Sequence, residues 1–107
     1  MCAGMKVLAA AAGLDIGSVR EILIAGSFGS ALRSASIRRL GLVPQGFRGR
    51  IKVIGNSAVE GAKIMLTSRE ARRDAEAVAA KAEHVELFSM ADFKEEFYSS
   101  MAFPPAR

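Results

Sequence analysis

The sequence predicts an α/β fold, a small and mainly three-stranded sheet packed with helices. Two short apolar runs rich in β-branched residues, at 21–25 and 51–54, are each halted by a glycine, Gly26 and Gly55. Around them apolar residues recur at helical spacing, and a brief alternation at 84–87 supplies the third strand. The length of 107 residues suits one domain, and a chain of this size buries roughly two-thirds of the surface its unfolded form exposes.

Residues 2–12 read as a helix with Val7, Leu8, Ala11 and Ala12 on its apolar face and Gly13 as its stop. Glu21 to Ala25 reads as a strand buried on both faces. Helical material is expected from Ala31 to Leu40, ending at Gly41 with Pro44 beyond it. Ile51 to Ile54 forms the second strand, and Asn56 or Ser57 is placed to cap a helix running to Leu66. Ser68 caps a further helix whose buried face is Ala71, Ala75, Val78, Ala79 and Ala82. The alternation of His84, Val85, Glu86 and Leu87 is a half-exposed strand. Ser89 and Asp92 resemble a capping box for a last helix presenting Met90, Phe93, Phe97 and Met101 on one side. A half-sheet this small suggests a piece of a larger domain, or an edge completed by a partner.

Composition narrows the chemistry. Cys2 is the only cysteine, which excludes an internal disulfide and any cysteine-ligated cluster, fits a cytoplasmic protein, and leaves Cys2 itself as inert. Met5 to Ala12 imitates a short signal-peptide core but reads better as a buried helix. No run approaches the roughly 18 apolar residues of a membrane helix. Six cations (Arg33, Arg38, Arg39, Arg48, Arg50, Lys52) occur without an acid between them. They read as a solvated surface, with a phosphate or an acidic partner as the alternative. Nucleic acid is disfavoured because no aromatic residues interleave as stacking platforms.

The chemistry-bearing segments are two strand–glycine–helix junctions, residues 24–30 and 55–62. Glycine bares the backbone to a phosphate or ribose, and a helix start adds amide donors. The first junction is neither a P-loop nor a dinucleotide fingerprint, so a ligand-free tight turn remains the other reading. If both junctions lie at the same end of adjacent strands, they form one crevice. The candidate binding residues are Gly26, Ser27, Phe28, Gly29, Gly55, Asn56 and Ser57. Gly61 and Ala62 inside a helix suggest close packing against another helix. His84 and the carboxylates Glu86, Asp92, Glu95 and Glu96 read as surface residues, and Phe93 with Phe97 as core. No nucleophile is found with its base, and no metal-ligand set is evident.

The ordered set of motifs resembles one family. Ile-Ala-Gly-Ser-Phe-Gly-Ser spans 24–30, and the stretch from Ile37 closes in Gly-Leu-Val-Pro at Pro44. Gly-Asn-Ser-x-x-x-Gly-Ala spans 55–62, and Leu66-Thr-Ser-Arg-Glu-Ala-Arg72 follows. His84-Val-Glu-Leu, Phe93-x-x-x-Phe97 and Met101-Ala-Phe-Pro104 complete the series. Over essentially the whole chain this is similar to the C-terminal end of the actin-like (RNase H-like) ATPase domain of ferredoxin-fused reductive activators of corrinoid proteins.

The resemblance implies half of an actin-like domain, a single C-terminal subdomain over 1–107. The phosphate-binding hairpins, the magnesium-holding acids and the 2Fe–2S ferredoxin domain are expected upstream. It implies ATP or ADP, with magnesium in the full-length family, as cofactor, and the corrinoid protein of a methyltransferase system as partner. Gly26, Ser27 and Gly29 would fall on the adenosine motif, with Ser27 where relatives commonly have glycine. Gly61 and Ala62 would fall on the small-residue hinge helix. The fragment is expected to bind nucleotide weakly without hydrolysing it. The competing reading is an interaction or homodimerisation module without nucleotide binding.

Overall fold

Helix α1 (Cys2–Ala11) leads through a 3-10 turn (Ile16–Ser18) into strand β1 (Glu21–Ala25), helix α2 (Ser34–Arg39) and strand β2 (Arg50–Gly55). Helices α3 (Ser57–Thr67) and α4 (Arg69–Lys81) follow, then a 3-10 turn (Leu87–Ser89) and helix α5 (Ala91–Ser99). This computed structural model describes residues 1–27 and 31–103.

The two strands pair in parallel, Glu21 opposite Arg50 and Ile24 opposite Val53. Parallel neighbours cannot be joined by a tight turn, so the chain crosses over through α2 between them. The register slips after Ile24, and Ala25 faces Gly55 instead of Ile54. Side chains alternate across the pleat, so Ile22, Ile24, Ile51 and Val53 share the face that meets the core. There Ile24, Ile37, Val43 and Phe47 are buried, with Met5, Ile16, Val19 and Leu42 packed around them.

A second, smaller cluster joins the chain's two ends. Ala3 and Val7, one helical turn apart on α1, bury against Phe93 of α5, with Leu87 and Met90 at the margin. Phe88 meets Phe93 edge-on at 5.2 Å between ring centroids, a favoured aromatic geometry. Met5, on the same helix, packs against the first cluster. Helix α1 therefore ties α5 to the sheet.

Local signals explain most of the element ends. Helix α1 stops where the Gly13 amide donates to the Ala10 carbonyl (3.0 Å) and the Leu14 amide to that of Ala9 (2.8 Å). Gly41 and Leu42 close α2 in the same pattern, onto Arg38 and Ile37. The Asn56 side chain accepts from the Val59 amide, and the Ser68 hydroxyl from the Ala71 amide, so both predicted caps form.

Several expectations are corrected. The described residues contain two strands, because residues 84–86 run without a ladder partner and Leu87 opens a 3-10 turn. Strand β1 is buried on one face only: Leu23 is 55% exposed, and no part of the described chain covers that side of the sheet. The apolar face of α1 is Ala3 with Val7, whereas Leu8, Ala11 and Ala12 are exposed. Helix α2 starts at Ser34 rather than Ala31, since Arg33 is extended (φ −83°, ψ 141°). Ser89 makes no capping box; its hydroxyl donates to the Glu86 carbonyl at 2.7 Å, and α5 starts without a side-chain cap. Of the expected stripe on α5, Phe93 is buried, Phe97 is 39% and Met101 61% exposed.

The largest departure concerns α3 and α4. They form a hairpin whose half-buried residues are Gly61 and Met65 on one helix and Ala71 and Ala75 on the other. Neither helix has a fully buried residue. Val78, expected in the core, is 68% exposed, and Ala79 and Ala82 are exposed as well. The radius of gyration, 16.0 Å, exceeds the roughly 13 Å of a compact chain of this length. The hairpin projects from the body.

Candidate functional site

The two glycine junctions lie side by side at the same end of the sheet. Ala25 is in register with Gly55, and the Gly26 amide donates to the Gly55 carbonyl at 2.7 Å. Both glycines are left-handed, φ 98° at Gly26 and 66° at Gly55. A Cβ added to either meets nothing within 4 Å. Among the described residues, no side chain lies against the outer side of this backbone crest.

Helix α3 begins at this crest. Asn56 caps it, and its Oδ1 accepts from the Val59 amide at 3.3 Å. The amides of Ser57 and Ala58 precede the first intrahelical bond and point outward at the positive end of the helix dipole. The first turn also carries Glu60, paired with Lys63 at 2.8 Å. The two side-chain charges offset each other, so the unpaired amides are what the helix start presents to an acceptor atom.

Of the residues singled out by sequence, Gly26, Gly55, Asn56 and Ser57 meet at this crest, and Ser27 is exposed beside it. Phe28 and Gly29 lie outside the described residues. Gly61 is not held to glycine by packing within the chain, because an added Cβ there has free space and Ala62 is exposed. His84 is 84% exposed in its side chain and lies 3.6 Å from Glu86. Among the described residues no three His, Cys, Asp or Glu side chains gather as a metal site. No helix of the described chain is long and apolar enough to cross a membrane.

Two surface grooves lie elsewhere, both beside the seam of α1 and α5. One, about 480 Å³, is lined by Lys6, Val7, Ala10, Met90, Asp92 and Glu96 among others. The other, about 600 Å³, is bordered by Cys2, Ile16, Pro44, Gln45 and Phe103. Lys6 Nζ donates to Glu96 Oε1 at 2.5 Å between them. That bond holds the Glu96 carboxyl below its ordinary value; burial opposes it, and the Ser100 and Ser99 hydroxyls add donors in its favour. The same bond holds the Lys6 ammonium above its ordinary value. This ion pair fastens the two ends of the chain, and sequence reasoning missed it because its partners are 90 residues apart. Neither groove includes a residue of the glycine crest.

Parallel strands joined by a helical crossover, with a second helix leaving the shared glycine end, make a small α/β unit. The chain belongs to the family described as the C-terminal domain of RACo, the ASKHA domain, whose model matches residues 1–107. No curated protein and no solved structure matches the chain.

Proposed function

We propose that the chain supplies the adenosine-side wall of the nucleotide site in an ATP-dependent reductive activator of corrinoid proteins, acting as its C-terminal subdomain. The observation that carries this reading is the hydrogen-bonded crest of Gly26 and Gly55, over which no described side chain lies. Glycine at both positions lets a ribose or base ring approach main-chain atoms that any side chain would screen. Membership of the RACo C-terminal family supports the same reading. Asn56 and Ser57 add polar groups at the margin, with Ser27, Phe28 and Gly29 continuing the first junction.

In this reading the chain contributes binding and leaves hydrolysis to the rest of the activator, and the single cysteine cannot hold an iron–sulfur cluster. Reduction, phosphate handling and the magnesium site fall to other parts of such an activator. Titration calorimetry with ADP, AMP and adenosine tests the reading. Weak binding of all three, with little gained from the phosphates, is expected; no heat with any of them would overturn it.

A second reading has its own support. Leu23, Leu66 and Val78 are 55%, 79% and 68% exposed, on the open sheet face and the projecting hairpin. These surfaces suit a docking or homodimerisation module. A change in sedimentation without any nucleotide response would favour it.

A further inference from the structure

The parallel register brings Arg20 to the basic stretch that the sequence already shows between Arg33 and Lys52. The start of β2 lies against the start of β1, with the Arg50 amide donating to the Arg20 carbonyl at 2.9 Å. Gly49 sits so close to the Arg20 carbonyl that a Cβ has no room there. Arg38 reaches the same place from α2. Its guanidinium donates to the Gly49 carbonyl at 2.5 Å and the Phe47 carbonyl at 3.1 Å. It also lies 5.3 Å over the Phe47 ring. Arg20, Arg38, Arg48 and Arg50 are all exposed.

Among the described residues the one ion pair at this pole is that of Arg50 with Glu21, long at 3.9 Å. Arg20 and Arg48 have no ion pair among the described residues. In the sequence no acid intervenes between Glu21 and Glu60. The pole sits at the opposite end of the strands from the glycine crest, about 15 Å away at the usual rise per residue.

We propose that this arginine pole docks a carboxylate-rich surface of a partner protein. Guanidinium groups are the cations best matched to carboxylates, which they bind in a planar, two-pronged geometry. The pole's aromatic ring, Phe47, is only 2% exposed, beneath Arg38, and cannot stack on a base. Nucleic acid is also a poor match because a phosphate-tracking site relies on a longer run of cations than this compact group. Arg38 is held by carbonyls through two of its donors and keeps its charge facing outward. Arg20 and Arg48 make no ion pair among the described residues, and Arg50 has only its long contact with Glu21 to exchange for the partner's carboxylates.

The probe is a fluorescein-labelled hepta-glutamate peptide, followed by anisotropy with the intact chain. Binding is expected at low salt and should fade as salt is raised past about 0.2 M, where the Debye length drops below roughly 8 Å. The double substitution Arg48→Ala with Arg50→Ala should weaken it about tenfold, or about 1.4 kcal/mol. Arg69→Ala with Arg73→Ala removes the same charge from exposed positions on α4 and should change it less than about twofold. Arg20→Ala with Arg48→Ala serves as a second test should the first pair disturb the fold by circular dichroism. Equal losses from both poles, no binding by the unaltered chain, or tighter binding of a heptathymidylate would each overturn the proposal.

Discussion

The Gly26 amide and the Gly55 carbonyl are joined at 2.7 Å across the ends of β1 and β2, and both residues are left-handed. The bond falls just past the slip in register, where Ala25 faces Gly55 in place of Ile54. The slip shortens the path of β1 relative to β2 and lets both chains turn away from the sheet together. One geometric event thereby sets the end of the sheet, the start of α3 and the open crest.

Because an added Cβ meets nothing at either glycine, substitution there is opposed by backbone conformation and not by crowding. Gly55→Ala should destabilise the chain by about 1–2 kcal/mol, the difference for a non-glycine residue held in the left-handed region. Gly55→Asn should be milder, since asparagine tolerates that region near φ 66°. At Gly26, with φ 98°, asparagine should give no such relief. Urea titration of Gly55→Ala, Gly55→Asn, Gly26→Ala and Gly26→Asn orders them. A ranking by side-chain volume would instead show that the crest is packed.

The Lys6–Glu96 bridge gives stability a defined dependence on pH. Glu96 is lowered by the bond to Lys6, so its contribution is complete above the ordinary glutamate pKa of roughly 4.3 and is lost as pH falls through the lower folded value. Lys6 is raised, so its contribution is complete below roughly 10.4 and is lost as pH climbs through the higher folded value. With side chains 43% and 27% exposed, solvent screens the pair, and its worth is under about 1 kcal/mol. Lys6→Met should therefore cost a fraction of a kilocalorie near neutrality and nothing in strong acid. Paired melting curves across pH check this, and a deficit unchanged at low pH would exclude the bridge as its source.

Much of the fold was legible because its signals are local. Glycines after apolar runs mark where β1 and β2 end, and the caps at Asn56 and Ser68 formed as their side chains predict. The shared end of the two junctions was legible too, since parallel strands joined by a crossover finish on the same side. What misled was alanine. Along α4 and just past its end, Ala71, Ala75, Ala79 and Ala82 trace an apolar stripe, yet only the first two are half-buried. Periodicity reports which face is apolar and is silent on whether anything covers it. Val85 and Leu87 failed as a strand for a related reason: alternation needs a ladder partner, and the described chain provides none. The basic stretch from Arg33 to Lys52 was legible, whereas the Lys6–Glu96 pair and the approach of Arg20 to that stretch depend on contacts between distant segments, which spacing does not record.

Arg38 joins α2 to the loop that feeds β2. Its guanidinium holds the Phe47 and Gly49 carbonyls and covers the Phe47 ring. Arg38→Met keeps the length of the stem but removes the donors, leaving two carbonyls to water. A loss of about 1–2 kcal/mol is expected, given the partial exposure of the site. Arg38→Lys should recover little, because one ammonium cannot reproduce the guanidinium's forked reach to both carbonyls. Chemical denaturation of the two variants distinguishes them, and full recovery by lysine would reduce the role to charge alone.

The projecting hairpin should behave as a separate, weaker unit. Stability against local opening follows buried apolar contact, and neither α3 nor α4 contains a fully buried side chain. Amides of α4 should therefore exchange with solvent hydrogen well before those of β1 and β2, which back onto Ile24, Ile37 and Phe47. Substitutions should follow the same division. Val78→Ser, at a position 68% exposed, should change global stability by less than about 0.5 kcal/mol. Ile37→Ala, at a fully enclosed position, should cost about 2–5 kcal/mol. Equal protection of α4 and the strands, or a large penalty at Val78, would mean that the hairpin's outer face is covered in solution. If the cover is a second copy of the chain, both effects should diminish on dilution.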